Sequence, residues 1–211
     1  MSSLSPLMTN SFIQAAQWLT SGKLLAYPTE SVWGMGCDPF NESAVAHLLA
    51  IKQRPVNKGM IVVTDSAARI APLLTSLRPE QRQIVLDSWS ISKHTAAQQA
   101  HTWLLPLSAP LRVAIPRWIT GAHNSVAVRV IAHPLIQQLC AQVVSPDNPY
   151  GFIVSTSCNV AAQPPALSLE QAQAYFMQAS FAEQVTYLQG ETLGYELPSQ
   201  IHDATTGLIL R

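Results

Sequence analysis

The residues of this 211-residue chain best suited to chemistry are clustered cations and hydroxyls. The stretch "AIKQRPVNKG", residues 50–59, puts Lys52, Arg54 and Lys58 into one short span, although the whole chain has only 12 Lys plus Arg. No acidic residue lies between Glu42 and Asp65 to neutralise them. Three cations around a turn make a seat for a polyanion, and they equally suit a solvated helix C-terminus, where positive charge complements the dipole. A second cluster is "VSTSCN", residues 154–159, which follows an apolar run and offers Ser155, Ser157 and Asn159 as uncharged donors for phosphate or carboxylate, or as a Ser/Thr turn. In "YPTESVWGMGCDP", residues 27–39, Thr29, Glu30 and two glycines leave a strand through a proline, which permits close backbone approach to a ligand or a tight turn. Arg129 interrupts the alternation of "SVAVRV" and faces away from Val126, Val128 and Val130, into a cleft or into solvent.

Helices and strands must carry these groups, and the apolar periodicity indicates where. "NSFIQAAQWLTSG" reads as a helix capped by Asn10 or Ser11 and closed by Gly22, with "KLLAYP" as the following strand. "NESAVAHLLAIKQR" has an Asn41 cap and apolar residues at Val45, Leu48 and Leu49, so it reads as a second helix. Lys52 lies seven residues after Val45 and continues that stripe, and Pro55 then turns the chain. Strands are expected at "MIVVT", "TWLLPL", "SVAVRVI" and "GFIVS", and helices at residues 67–77 and 79–89 and at "SLEQAQAYFMQ", followed by a β-rich tail ending "GLILR". The strands and helices do not alternate strictly. The expected class is therefore α/β, one domain over residues 8–211, with an open twisted mixed sheet and flanking helices.

Composition sets the outer limits. Apolar residues make up 48% of the chain, ample for a sizeable core, and 12 acidic residues balance the 12 basic ones. No long-range field draws such a protein strongly onto nucleic acid or an anionic membrane, so any electrostatic function must be local. Three cysteines without a C-x-x-C pair argue for a reducing compartment. With no apolar run of membrane-spanning length and no secretory leader pattern, the expected location is the cytoplasm, with no membrane partner. The six histidines show no zinc-ligand spacing, so no metal site is assigned, and neither a P-loop nor a dinucleotide fingerprint occurs.

Taken together and in order, "YPTESVWGMGCDP", "KQRPVNKG", "SVAVRV", "STSCN" and "PSQIHD" resemble the motifs of the YrdC-like family, over nearly the whole chain. The resemblance implies a deep basic cavity on one face of the sheet. It also implies a reaction in which L-threonine, bicarbonate and ATP yield threonylcarbamoyl-adenylate and diphosphate, with Mg2+ accompanying ATP. The product would serve a separate transferase complex that modifies tRNA. Carried over by position, Lys52, Arg54 and Lys58 would hold the ATP phosphates. Ser155, Ser157 and Asn159 would bind nucleotide or threonine, Thr29 would contact threonine, Arg129 its carboxylate, and Ser199 the nucleotide. Cys158 reads as a small space-filler.

This sequence departs from the family at one place. The family's Trp-Pro-Gly-Pro-x-Thr is replaced by Trp89, "SISKHTAAQQAH" and Thr102, which puts nucleotide contacts there, Thr102 included, in doubt. Two other functions compete with the synthase: an RNA-binding or ribosome-associated module, with weak RNA binding in the same cavity, and a paralogue with reduced activity. A carbamoyl-transfer domain of the hydrogenase-maturation type normally sits inside a much longer chain.

Overall fold

The computed structural model describes residues 6–90, 99–176 and 182–211. Most of the replaced Trp-Pro-Gly-Pro segment, residues 91–98, lies outside them. Strand β1 (Met8–Thr9) leads into α1 (Phe12–Thr20). Ser11 caps α1 by accepting from the Gln14 N–H, Ala15, Ala16 and Leu19 are its buried stripe, and the chain leaves through Gly22 at φ +85°. Next come β2 (Leu24–Pro28), β3 (Trp33–Gly36) and α2 (Glu42–Ile51). Asn41 Oδ1 caps α2 by accepting from Ala44 N at 3.0 Å. This helix ends at Ile51, with Lys52 as its C-cap, three residues short of the expected Arg54. Gln53 takes φ +45° just before the Arg54–Pro55 pair, where helical geometry is disfavoured.

The remaining elements are β4 (Ile61–Thr64), α3 (Ala71–Leu74), α4 (Pro79–Ser88), β5 (His101–Pro106), α5 (Arg117–Thr120), β6 (Ser125–Val130), α6 (Pro134–Gln142), β7 (Ile153–Ser157), α7 (Leu169–Phe176), β8 (Val185–Leu188) and β9 (Gln200–Asp203). Among the described residues the strands form one nine-stranded sheet in the order β1-β8-β2-β3-β7-β4-β6-β5-β9. Pairs β1–β8, β2–β8, β4–β6 and β5–β9 are parallel, whereas β2–β3, β3–β7, β4–β7 and β5–β6 are antiparallel. The fold is a single-domain α/β protein with an open mixed sheet and flanking helices, as the sequence led us to expect.

Strand alternation sorts the core into two layers. Leu25, Tyr27, Val63 and Ile153 pack with the buried faces of α1 and α6. Ala26, Val62, Val128 and Val154 pack on the other side with α2, α4 and α7. Ala127, Arg129 and Ser155 fall on the α1/α6 side by this alternation, beyond what those two helices cover, and there the sheet is open. In β3, Gly36 answers to packing, with neither a ligand nor a turn involved: a Cβ there would lie 1.8 Å from the Val154 carbonyl oxygen of β7. Among the described residues no helix is long and apolar enough to cross a membrane.

Candidate active site

The uncovered part of the sheet is a cavity of about 1180 Å³. Its floor includes Gly34, Ile61, Leu104, Ala127, Arg129 and Ser155, and its rim is formed by the turn after α2, the end of β7 and the segment leading into β9. Eight of the ten residues singled out from the sequence line it: Lys52, Arg54, Lys58, Thr29, Arg129, Ser155, Ser157 and Ser199.

Lys52 reaches the cavity from a helix on the opposite face of the sheet. Its Nζ donates to the carbonyls of Ser157 and Asn159, both at 2.8 Å, and to Asn159 Oδ1. Arg54 Nε and Nη2 donate to the Gly59 carbonyl at 3.1 and 2.8 Å. Lys58 is exposed on the same rim. Among the described residues no carboxylate stands within ion-pair distance of any of the three, so their hydrogen bonds go to neutral acceptors and the positive charge stays uncompensated. Burial, with the like charge of Arg54 adding to it, brings the Lys52 ammonium down from its ordinary 10.5 to about 8. Burial and the nearby Arg211 likewise lower Arg54.

Ser155 is buried and Ser157 half-buried on β7, and the Ser157 hydroxyl donates to Asn159 Oδ1 at 2.8 Å. The Thr29 hydroxyl donates to the Val32 carbonyl at 2.6 Å, which fixes it within its own turn and leaves its two lone pairs as acceptors. Arg129 is 9% exposed; its Nη2 approaches Ser155 Oγ at 3.5 Å and its Nη1 stands 3.6 Å from Glu30 Oε2.

Two expected residues are placed differently. Asn159 is not on the wall: its Oδ1 accepts from Lys52 and Ser157 and its Nδ2 donates to the Gln163 carbonyl, so its polar atoms are spent on holding the wall in place. Thr102 is fully buried on β5, opposite Ile201 in the register, and has no surface in the cavity; Leu104 is that strand's contribution. Cys158 is buried, and its thiol is pushed up to about 12, mainly by that burial, which suits a space-filler.

The sequence did not single out Arg211, Tyr195, Glu196 or His123, all of which line the cavity. Arg211 arrives because residues 209–211 pair with β9: Leu210 N donates to the Ile201 carbonyl at 2.7 Å and Ile201 N to the Arg211 carbonyl at 2.9 Å. That register has no local signature. Among the described residues, five cationic side chains, Lys52, Arg54, Lys58, Arg129 and Arg211, therefore share the lining with one carboxylate side chain, Glu196, in a hollow that also presents the hydroxyls of Thr29, Ser155 and Ser157. Such a site can bind a polyphosphate beside a smaller carboxylate-bearing molecule and offset the charge that develops when one attacks the other.

Comparison with known proteins agrees with that chemistry. The Sua5_yciO_yrdC family model, described as "Telomere recombination", matches residues 17–211. A protein of Psychrobacter arcticus named threonylcarbamoyl-AMP synthase is 66% identical over the full length of both chains, and one of the same name from Acinetobacter baylyi is 45% identical over 97% of this chain and 98% of its own. Among solved structures, P. abyssi Sua5 complexed with L-threonine superposes with a TM-score of 0.69 at 25% identity, over 93% of this chain and 53% of that one. This chain thus spans about half the length of that protein.

Proposed function

The chain belongs to the Sua5_yciO_yrdC family, and on that premise we propose that it makes threonylcarbamoyl-adenylate and diphosphate from L-threonine, bicarbonate and ATP. The observation that carries this reading is the uncompensated cation rim above a floor of hydroxyls, in a chain so similar to proteins named for that synthesis.

The residue roles follow from the chemistry. Once bicarbonate has given up water and its carbon has been captured as carbon dioxide by the threonine amine, the carbamate oxygen attacks the α-phosphorus and diphosphate leaves, so two anions must be brought together. Lys52, Arg54 and Lys58 offset that repulsion and receive the charge on the leaving diphosphate, and Arg211 adds a fourth cation beside Arg54. Arg129 takes the threonine carboxylate, while Thr29, Ser155 and Ser157 orient the amino acid without bringing further negative charge. Ser199, which lines the cavity just before β9, would contact the nucleotide.

Mg2+ accompanies ATP as part of the substrate. Among the described residues Glu196 is the one carboxylate side chain on the wall, and they contain no cluster of three His, Cys, Asp or Glu side chains able to hold an ion. Magnesium would be carried by phosphate oxygens and water, and no residue is assigned to it. The cations sit inside a hollow and not along an exposed stripe, an arrangement that favours a small-molecule polyanion over RNA. The adenylate would pass to a separate tRNA-modifying transferase complex, in the cytoplasm. The test is to supply ATP, L-threonine and bicarbonate and to follow diphosphate and a new adenylate. Both should require all three substrates, and release of diphosphate without threonine would overturn the assignment.

A further inference from the structure

Glu30 is 1% exposed, yet among the described residues one of its carboxylate oxygens has no hydrogen-bond donor. The other, Oε1, accepts from Ala132 N at 2.9 Å, just past the end of β6. The unpaired Oε2 lies 3.6 Å from Arg129 Nη1. Glu30 is not on the wall of the main cavity and instead borders a smaller one, of about 410 Å³, with Tyr195 common to both. Its backbone carbonyl accepts from Tyr195 N at 2.9 Å. Glu30 therefore stands behind Arg129 and is tied by one oxygen and its backbone to two neighbouring segments.

We propose that Glu30 is a positioning residue: from behind, it holds the Arg129 guanidinium on the amino-acid side of the cavity and prevents the polyphosphate from capturing it. Arg129 lines the cavity with the 10% of its side chain that stays exposed, and among the described residues its Nη2 has only the long contact to Ser155, so the guanidinium keeps donor capacity for an incoming carboxylate, while its Nε is buried and unpartnered. A mobile arginine in this hollow would face a choice between one carboxylate and three phosphates, and the phosphates carry more charge. A fixed carboxylate behind it resolves the choice in favour of threonine. The proposal rests on the reading that Arg129 binds the threonine carboxylate, and the experiment separates the two.

The variants are Glu30→Gln, which keeps an acceptor for Ala132 N but removes the charge, Glu30→Asp, which keeps the charge but shortens its reach, Arg129→Gln, and the pair Glu30→Gln/Arg129→Gln. Steady-state kinetics are measured with threonine and ATP varied in turn. Glu30→Gln should raise KM for threonine about tenfold, which corresponds to about 1.4 kcal/mol, and Glu30→Asp should raise it less. KM for ATP should stay within about twofold or fall in both, a split that general loosening of the fold would not produce. In the Arg129→Gln background Glu30→Gln should cost nothing more, because its effect passes through the arginine. The pair removes both buried charges and so keeps the comparison measurable if one single variant folds poorly. Unchanged threonine KM in both Glu30 variants, or additive effects in the pair, would overturn the proposal while leaving the Arg129 reading intact. Unchanged threonine KM in Arg129→Gln would overturn that reading and the proposal with it.

Discussion

Lys52 Nζ lies 2.8 Å from the Asn159 carbonyl oxygen and also donates to that residue's side-chain amide, so a cation from a helix on one face of the sheet is held at the end of a strand that borders the cavity on the other. Every acceptor in this contact is neutral. The ammonium is oriented without being neutralised, as an anion-binding group must be.

Asn159 should accordingly matter without touching substrate. Asn159→Ala removes the orienting acceptor of Lys52 and Ser157 and should lower kcat/KM for ATP about tenfold, by loss of about one charge-assisted hydrogen bond. Asn159→Asp keeps an acceptor but adds a counter-charge, and it should weaken ATP more than alanine does. Calorimetric ATP titration of the two variants checks the order, and an aspartate variant that binds ATP as well as the parent contradicts the role given to this contact.

Lys52→Ala and Arg54→Ala should each cost about 1.5–3 kcal/mol of transition-state stabilisation in kcat/KM for ATP. Neither residue is a core contact, so circular dichroism should show both variants folded.

The depressed pKa of Lys52 gives the activity a pH signature. The charged form binds phosphate and predominates below about 8 in the free protein, so kcat/KM for ATP should fall as pH rises through that value. Phosphate favours the ammonium, so ATP binding above about pH 8 should take up protons, measurable by calorimetry in buffers of different ionisation enthalpy. In Lys52→Arg, whose guanidinium stays charged well above that range, that limb should disappear even if the absolute rate is lower.

Gly36→Ala should disrupt the fold and not the chemistry directly. The added methyl would meet the Val154 carbonyl at 1.8 Å and force β3 off β7, at a cost of about 3 kcal/mol or more in urea unfolding. Near-parental stability would show that the two strands can separate locally.

Amino-acid selectivity follows from the hydroxyl floor. Threonine's own hydroxyl should find a partner among Thr29, Ser155 and Ser157, and valine would leave that partner unpaired, so serine should compete better than valine. Competition assays with labelled threonine check this order.

The sequence made the α/β class, the mixed sheet and the capped starts of α1 and α2 legible, because caps and apolar periodicity are local signals. The cation trio was legible for the same reason: Pro55 and the residues around it are contiguous in the chain. What it left hidden depends on register. Arg211 enters the cavity because residues 209–211 hydrogen-bond to β9, Asn159 drops off the wall because its side-chain amide is spent on Lys52, Ser157 and Gln163, and Thr102 because β5 buries it, its hydroxyl without a partner among the described residues. Strand β3 escaped notice because its glycines read as a turn, whereas one of them makes room for β7. The helix α6 was missed although Ile136, Leu139 and Cys140 carry a helical spacing.

The most direct test of the central claim is mass spectrometry of the adenylate formed from 13C-labelled bicarbonate, L-threonine and ATP. We predict one nucleotide product that contains threonine, AMP and the labelled carbon, with diphosphate in equal amount, formed at least about tenfold more slowly in Lys52→Ala and Arg129→Gln. AMP or diphosphate formed without incorporation of the labelled carbon would contradict the account.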